Sequence, residues 1–205
     1  MPDLHLETEA GGLVAGVDEV GRGPWAGPVV AAAVILDPAR LPEDLAADID
    51  DSKKLSAAKR QDIARRLRDC AHMGIGAAAT DEITEHNILG ATFIAMQRAV
   101  KAVASVGGMP DLALIDGNKV PSLPCPARCV VKGDGVSLSI AAASIVAKVT
   151  RDRLMERLGA RYPGFGWERN AGYGTAEHQA GLKRLGVTPH HRKSFAPIVK
   201  ILSQG

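Results

Sequence analysis

Two short apolar runs on either side of a charged, glycine-rich turn constrain this chain more than any other stretch. Leu13 to Val17 leads straight into Asp18 and Glu19, Gly21-Arg22-Gly23 follows Val20, and a second run extends from Pro28 to Leu36. Both runs are rich in Val and Ala and bounded by Gly and Pro, which reads as two strands of a hairpin. Asp18 and Glu19 then stand where the first strand gives out. Neighbouring strand residues point to opposite faces, so both acids can share one ion only if the backbone bends there. Gly21 and Gly23 permit such a bend and leave backbone N–H and C=O groups open to a ligand. The plainer reading of the same residues is a polar turn.

Composition bears on how such strands are packed. Aromatic residues are only 3% of the chain, while Gly alone contributes 22 of 205 residues and Ala and Val abound. A core of small aliphatic side chains lets helices and strands approach closely. The length suits one sizeable domain. A hydrophobic content of 46% with 23% charged residues is that of an ordinary soluble globular protein. No apolar run reaches the roughly 18 residues that span a bilayer, and Met1 to Glu9 lacks the basic-then-apolar layout of a signal peptide. Cys70, Cys125 and Cys129 are odd in number, and no second Cys or His pair completes a zinc site. They read as reduced thiols of a cytoplasmic protein.

The net charge of +2 divides unevenly. Residues 1–139 carry 14 Lys/Arg against 19 Asp/Glu, and residues 140–205 carry 11 against 4. An acidic front and a basic back fit a site where acids hold cations while a basic wall faces a polyanion. Ordinary surface charge is the alternative.

Along the chain, residues 1–12 read as a loose N-terminal tail and 13–205 as a single domain. The hairpin (13–36) is followed by a Pro- and Asp-rich surface connection to Asp51. Ser56 predicts an N-cap for a helix from Ala57 to about Ala71, with Ile63, Leu67 and Cys70 on its apolar stripe. Residues 74–79 are a weak strand, 80–83 a helical turn, and 88–106 a helix stopped by Gly107-Gly108. Leu112 to Ile115 is a buried strand ending at Asp116, and Cys129 to Val131 a short one before Lys132-Gly133-Asp134. A long helix runs from Ser137 to about Gly159, apolar nearly all round in its first half and so buried. Another helix spans about 175–185. Strands and helices in this order give an α/β fold with a mixed sheet.

Asp18 with Glu19, then Asp116, then Asp134, all occur just past apolar runs. Strand ends in α/β sheets gather at one edge, where ligands bind. Carboxylates crowded there raise one another's pKa and repel, a cost that divalent cations remove. Ligands that are all oxygen select Mg²⁺ or Mn²⁺, and two such ions could serve phosphodiester hydrolysis. Four unrelated turn carboxylates are the bland alternative.

These residues closely resemble the ribonuclease HII family. Gly16-Val17-Asp18-Glu19-Val20-Gly21-Arg22-Gly23 is similar to its signature. The likeness continues through Asp51-Ser52-Lys53-Lys54-Leu55, Leu114-Ile115-Asp116-Gly117, Lys132-Gly133-Asp134 and Ser139 to Val149, and ends with Gly172-Tyr173-Gly174-Thr175 and His191-Arg192-Lys193-Ser194-Phe195. The resemblance implies a ribonuclease H-like fold, with a five-stranded mixed sheet flanked by helices and a helical C-terminal region. It implies hydrolysis of RNA in RNA–DNA hybrids and incision 5′ of single ribonucleotides in duplex DNA, by two Mg²⁺ or Mn²⁺ ions on Asp18, Glu19, Asp116 and Asp134. Asp134 is the one of the four that could position a water instead.

By the same resemblance, Gly21, Arg22 and Gly23 contact the ribose 2′-hydroxyl, the group that tells RNA from DNA, and Tyr173 packs against the neighbouring sugar. Ser52, Lys53, Ser144, Lys148, Arg192 and Lys193 are candidates for phosphate contacts. Asn87 is either a further contact or a helix cap. His178, His190 and His191 read as surface or backbone-bonding residues, with no general base among them. The expected partners are RNA–DNA hybrid and ribonucleotide-containing duplex DNA, with no membrane, and the chain is expected to act as a monomer. Other readings are a resolvase- or transposase-type nuclease, which has no need of the Gly-Arg-Gly loop or Tyr173, and a non-catalytic hybrid-binding module.

Overall fold

The hairpin forms the centre of a five-stranded sheet. In the computed structural model, which describes residues 1–203, the chain runs α1 (His5–Ala10), β1 (Val14–Val20), β2 (Val29–Leu36), α2 (Glu43–Asp48), α3 (Ala57–Arg66), β3 (Ala71–Ala78), α4 (Thr80–Gly107), β4 (Leu112–Asp116), β5 (Ala127–Val130), α5 (Leu138–Arg161), α6 (Trp167–Asn170), α7 (Ala176–Leu185) and α8 (Ala196–Leu202). The strand order is β3-β2-β1-β4-β5. β1 and β2, and β2 and β3, are antiparallel; β1 and β4, and β4 and β5, are parallel. The sheet is mixed and five-stranded, as expected.

β2 shows how both faces are covered. All eight of its residues are buried, the mark of a strand enclosed on both sides. Ala31, Ala33 and Ile35 pack with Ala91, Ala95, Ala99 and Val103 of α4. Ala32, Val34 and Leu36 pack with Ala142, Ala143 and Ile145 of α5. Small residues make these layers close. A Cβ on Gly16 of β1 would lie 2.1 Å from the Ser139 carbonyl carbon in α5, and one on Gly76 of β3 would lie 2.0 Å from the Ala95 oxygen in α4. Main chain therefore rests on main chain at both contacts. A third cluster, built on Met155, Phe165, Trp167, Leu182 and Ile198, packs the C-terminal helices.

Helix starts follow the local chemistry that the sequence exposes. Ser56, Ser137 and Thr175 each accept a hydrogen bond from the backbone three residues on, a cap contributing about 1 kcal/mol. Other expectations need correction. The helix from Ala57 stops at Arg66, because Leu67–Asp69 tightens into a 3₁₀ turn and β3 begins at Ala71, earlier than the strand expected at 74. The turn at 80–83 and the helix at 88–106 are one element, α4, kinked at Asn87 (φ +57°). The connection after the hairpin contains α2, and the Gly/Pro-rich end contains α6 and α8. Among the described residues no helix is long and apolar enough to cross a membrane.

Residues 1–12 are a docked element, not a loose tail. Leu138 N–H donates to the Asp3 carbonyl at 2.8 Å. Glu7 of α1 accepts from the Ser137 hydroxyl, the Ser139 hydroxyl and the Ser139 N–H. A carboxylate is placed there at the positive end of α5, where it satisfies one free backbone donor, the Ser139 N–H.

Candidate active site

Three adjacent strands bring their acids to one end of the sheet. Parallel pairing of β1 with β4 ends at Val17 and Ile115, so Asp18 and Asp116 are the next residues on neighbouring strands. β5 places Val130 opposite Asp116, and the chain then turns through Gly133–Gly135, which carries Asp134. β1 does not bend at its acids, as the hairpin reading required. It stays laddered to β2 through Glu19 and Val20, and what gives out at Val17 is only its pairing with β4. Asp18 therefore faces the α5 side and Glu19 the α4 side.

Asp18, Glu19 and Asp116 line one cavity of about 300 Å³ with Ser52, Lys53, Ser144, Lys148 and Tyr173. Asp134 joins it through Lys53, whose ammonium lies 3.6 Å from the carboxylate. The Gly133 N–H donates to Asp116 Oδ1 at 2.6 Å, tying the loop of Asp134 to β4. Glu19 and Asp116 also line a smaller cleft on the α4 side, with Arg22, Thr92 and Phe93. A larger cavity, about 850 Å³, lies between α7 and α8. It has no acidic side chain in its lining and is not the site of this chemistry.

Charge at the sheet end is concentrated where water screens it poorly. Asp18 is 6% exposed. Burial, and then the Glu19 and Asp116 carboxylates, push its pKa well above the ordinary range, offset in part by the Ser144 hydroxyl and by the Glu19 N–H at 2.7 Å. Burial also raises Glu19, against Arg22 at 3.3 Å, and raises Asp116, against the Gly133 N–H. A hard divalent cation offsets this crowding, and an oxygen-only donor set suits Mg²⁺ or Mn²⁺. Among the described residues no three acids are already closed to ligand distance. Glu19 is drawn to Arg22 and Asp134 to Lys53. The residues fit a divalent cation by donor chemistry and by their shared cavity.

The other expected site residues divide into those the fold gathers and those it does not. Ser52 and Ser144 are buried with their hydroxyls 2.9 Å apart. Lys148 donates to Asp152 at 2.6 Å. Tyr173 is half exposed, and its ring edge is 3.4 Å from where a Cβ on Gly23 would stand, so ring and glycine loop are neighbours. Lys193 is exposed. Asn87 lines neither cavity at the acidic end. Its side-chain oxygen accepts from the N–H groups of Leu89 and Gly90, capping the second half of α4.

Arg192 departs furthest from expectation. It is fully buried, and its Nε and Nη1 donate to the Gly27 and Arg22 carbonyls at 2.9 and 2.7 Å while Nη2 donates to Gly21. A guanidinium committed to three carbonyls is not free to hold a phosphate. Arg151, not singled out in the sequence, is also buried and donates to Pro28, Ala171 and Ala26. Burial lowers both, Arg151 to about 10 and Arg192, with Arg151 nearby, to about 9. His178 and His191 are buried and 3.0 Å apart between their Nε2 atoms, while His178 Nδ1 lies 2.9 Å from the Tyr173 carbonyl. No signal in a single sequence separates such a buried Arg or His from a surface one.

The likeness to known proteins extends over nearly the whole chain. The family model for ribonuclease HII matches residues 15–198. Ribonuclease HII of Paramagnetospirillum magneticum is 62% identical over 202 residues, covering 98% of this chain and 99% of that protein. The ribonuclease H2 structure from Pyrococcus horikoshii aligns with a TM-score of 0.71 at 26% identity, covering 94% of this chain and 98% of that one. Bst ribonuclease HIII, solved in complex with Mn²⁺, aligns with a TM-score of 0.76 over 100% of this chain and 74% of that one. At 22% identity the latter is a likeness of fold. The fold is ribonuclease H-like, and with the family model matched over residues 15–198 and a relative 62% identical over nearly the whole of both chains, the chain belongs to the ribonuclease HII family, hydrolases that act as metal-dependent ribonuclease H endonucleases.

Proposed function

We propose that this chain hydrolyses the RNA strand of RNA–DNA hybrids and incises on the 5′ side of single ribonucleotides embedded in duplex DNA. The ends left are a 5′-phosphate and a 3′-hydroxyl. One observation carries the reading: Asp18, Glu19 and Asp116 share a cavity with Tyr173, and the Tyr173 ring stands beside the Gly21-Arg22-Gly23 loop. Asp18, Glu19, Asp116 and Asp134 would hold two Mg²⁺ or Mn²⁺ ions, which when bound supply charge neutralisation to the attacking and leaving oxygens of a phosphodiester.

The remaining work falls to the chain's own groups. Main-chain atoms of Gly21, Arg22 and Gly23 meet the 2′-hydroxyl that distinguishes RNA from DNA. Tyr173 packs against the next sugar, where a deoxyribose fits best, so a junction from RNA to DNA is favoured. Ser52, Lys53, Ser144, Lys148 and the half-exposed Arg22 side chain contact backbone phosphates, which positions the duplex without reading its bases. Ser144 also supports Asp18. No histidine acts as general base. The protein works in the cytoplasm as a monomer.

The test is cleavage of three duplexes, one with a single ribonucleotide, one a continuous hybrid and one all DNA, with Mg²⁺, with Mn²⁺ and with chelator. Cutting of the first two only, at the 5′ side of the ribonucleotide and only with metal, is expected. Equal cutting of the all-DNA duplex would remove the role given to the glycine loop, and cutting in chelator would remove that of the acids.

A further inference from the structure

Two elements are proposed above to read the sugar, the Gly21-Arg22-Gly23 loop and Tyr173. Local bonds hold the Tyr173 backbone in its own turn, its N–H donating to the Asn170 carbonyl at 2.9 Å and its carbonyl accepting from the Thr175 N–H at 2.8 Å, but they do not set its distance from the loop. Both are tied from beneath by one buried polar assembly in the C-terminal region. Arg192 donates to the Gly21, Arg22 and Gly27 carbonyls, fixing the peptide planes of the loop. Its chain neighbour His191 points the other way. His191 Nδ1 accepts from the Thr188 N–H at 2.9 Å, which leaves the proton on Nε2, donated to His178 Nε2 at 3.0 Å. His178 Nε2 also accepts from Trp167 Nε1–H at 3.1 Å. That places the His178 proton on Nδ1, aimed at the Tyr173 carbonyl at 2.9 Å. Every ring nitrogen has a partner of the right sense, with both histidines neutral.

We propose that Arg192 and His178 are positioning residues for substrate choice: joined through His191, they hold the glycine loop and Tyr173 at one fixed separation, so that a ribose and the deoxyribose next to it are read together. The inference rests on the reading of the loop and of Tyr173 given above. It assigns no contact between Arg192 or His178 and the substrate. A three-carbonyl fork also explains why arginine stands at 192. Lysine carries the same charge but cannot meet three diverging oxygens.

The test measures kcat/KM on a duplex with one ribonucleotide and on a continuous hybrid, and takes their ratio. Partial unfolding lowers both rates alike and cancels in the ratio, so a merely structural role does not move it. Arg192→Lys and His178→Gln, which keeps an acceptor near Nε2 but loses the donor to Tyr173, are each expected to lower the ratio about five- to tenfold, the value of one displaced hydrogen-bonded contact. His178→Asn, whose amide can still reach the Tyr173 carbonyl, keeps the ratio within about twofold. Tyr173→Ala is the control for the underlying reading. If it lowers the ratio while Arg192→Lys and His178→Gln do not, the positioning role is overturned and the reading of Tyr173 stands. If Tyr173→Ala leaves the ratio unchanged, that reading falls and the positioning role with it. Loss in His178→Asn equal to that in His178→Gln overturns the part given to the Nδ1 proton.

Discussion

Gly21→Ala and Gly23→Ala, two residues apart in the same loop, should behave in opposite ways. Gly21 has φ +91°, and a Cβ there would meet Arg151 at 2.1 Å from Nε and 2.6 Å from Cδ. The positive φ costs an alanine roughly 1–2 kcal/mol. Arg151 cannot swing aside freely, because each of its three guanidinium nitrogens donates to a carbonyl, those of Pro28, Ala171 and Ala26. Displacing one leaves a buried charged donor unmet, about 1–3 kcal/mol more. The expected loss is therefore about 2–5 kcal/mol, a large share of the ~5–15 kcal/mol that stabilises a typical domain. Gly23 has only the Tyr173 ring edge at 3.4 Å from its built Cβ, an ordinary contact, so its alanine variant should stay within about 0.5 kcal/mol of the wild type. Urea unfolding in chelator reads both, as a shift in midpoint at unchanged slope. A Gly21→Ala protein as stable as the wild type would refute the reasoning, as would an equal loss in Gly23→Ala.

Three further outcomes are expected. Asp18→Asn should raise the urea midpoint in chelator at neutral pH while lowering turnover roughly 10²-fold or more. The native pKa of Asp18 is raised, chiefly by burial, so stability is full at low pH and is lost as pH rises through that pKa; a variant less stable than wild type at pH 7 would contradict this. His191 is held down to about 4 from an ordinary 6.5, first by burial and then by His178. Stability should fall as pH drops from 6.5 towards 4, by up to about 3 kcal/mol at ~1.4 kcal/mol per pH unit, and unfolding curves of His191→Gln across that window should be flatter than wild type. Glu7→Ala should cost about 1–2 kcal/mol by leaving the Ser139 N–H at the start of α5 and the Ser137 and Ser139 hydroxyls without their acceptor, seen as a lower thermal midpoint; an unchanged midpoint would mean that α1 is not needed to support the Ser137 cap.

Much of this molecule is legible in the sequence because local chemistry decides it. Ser56, Ser137 and Thr175 announce their helices by hydrogen bonding to the backbone, and alternate residues of β2 needed only to be apolar to serve both faces. The acids could be read as strand-end groups, though that Asp18 and Asp116 are side by side depends on a parallel register which no local pattern encodes. What could not be read was set by distant partners. Glu7 looks like any acid near a terminus until Ser137 and Ser139 are opposite it. Asn87 caps a helix that has already begun seven residues earlier, so a boundary signal lands inside one element. Arg192 and Arg151 look like parts of a phosphate-binding wall and instead donate to loop carbonyls from buried positions beneath the glycine loop.

The bare contact of Gly16 with the first turn of α5 has a consequence for how such an enzyme can be altered. Asp18 lies two residues beyond Gly16 on the strand and Ser144 five residues beyond Ser139 on the helix. With backbone pressed on backbone between them, no side chain exists there whose trimming or enlargement could slide one against the other. At that contact the spacing across the candidate site is set by main chain, which leaves the loops that carry Asp134, Lys53 and Tyr173 as its more adjustable parts.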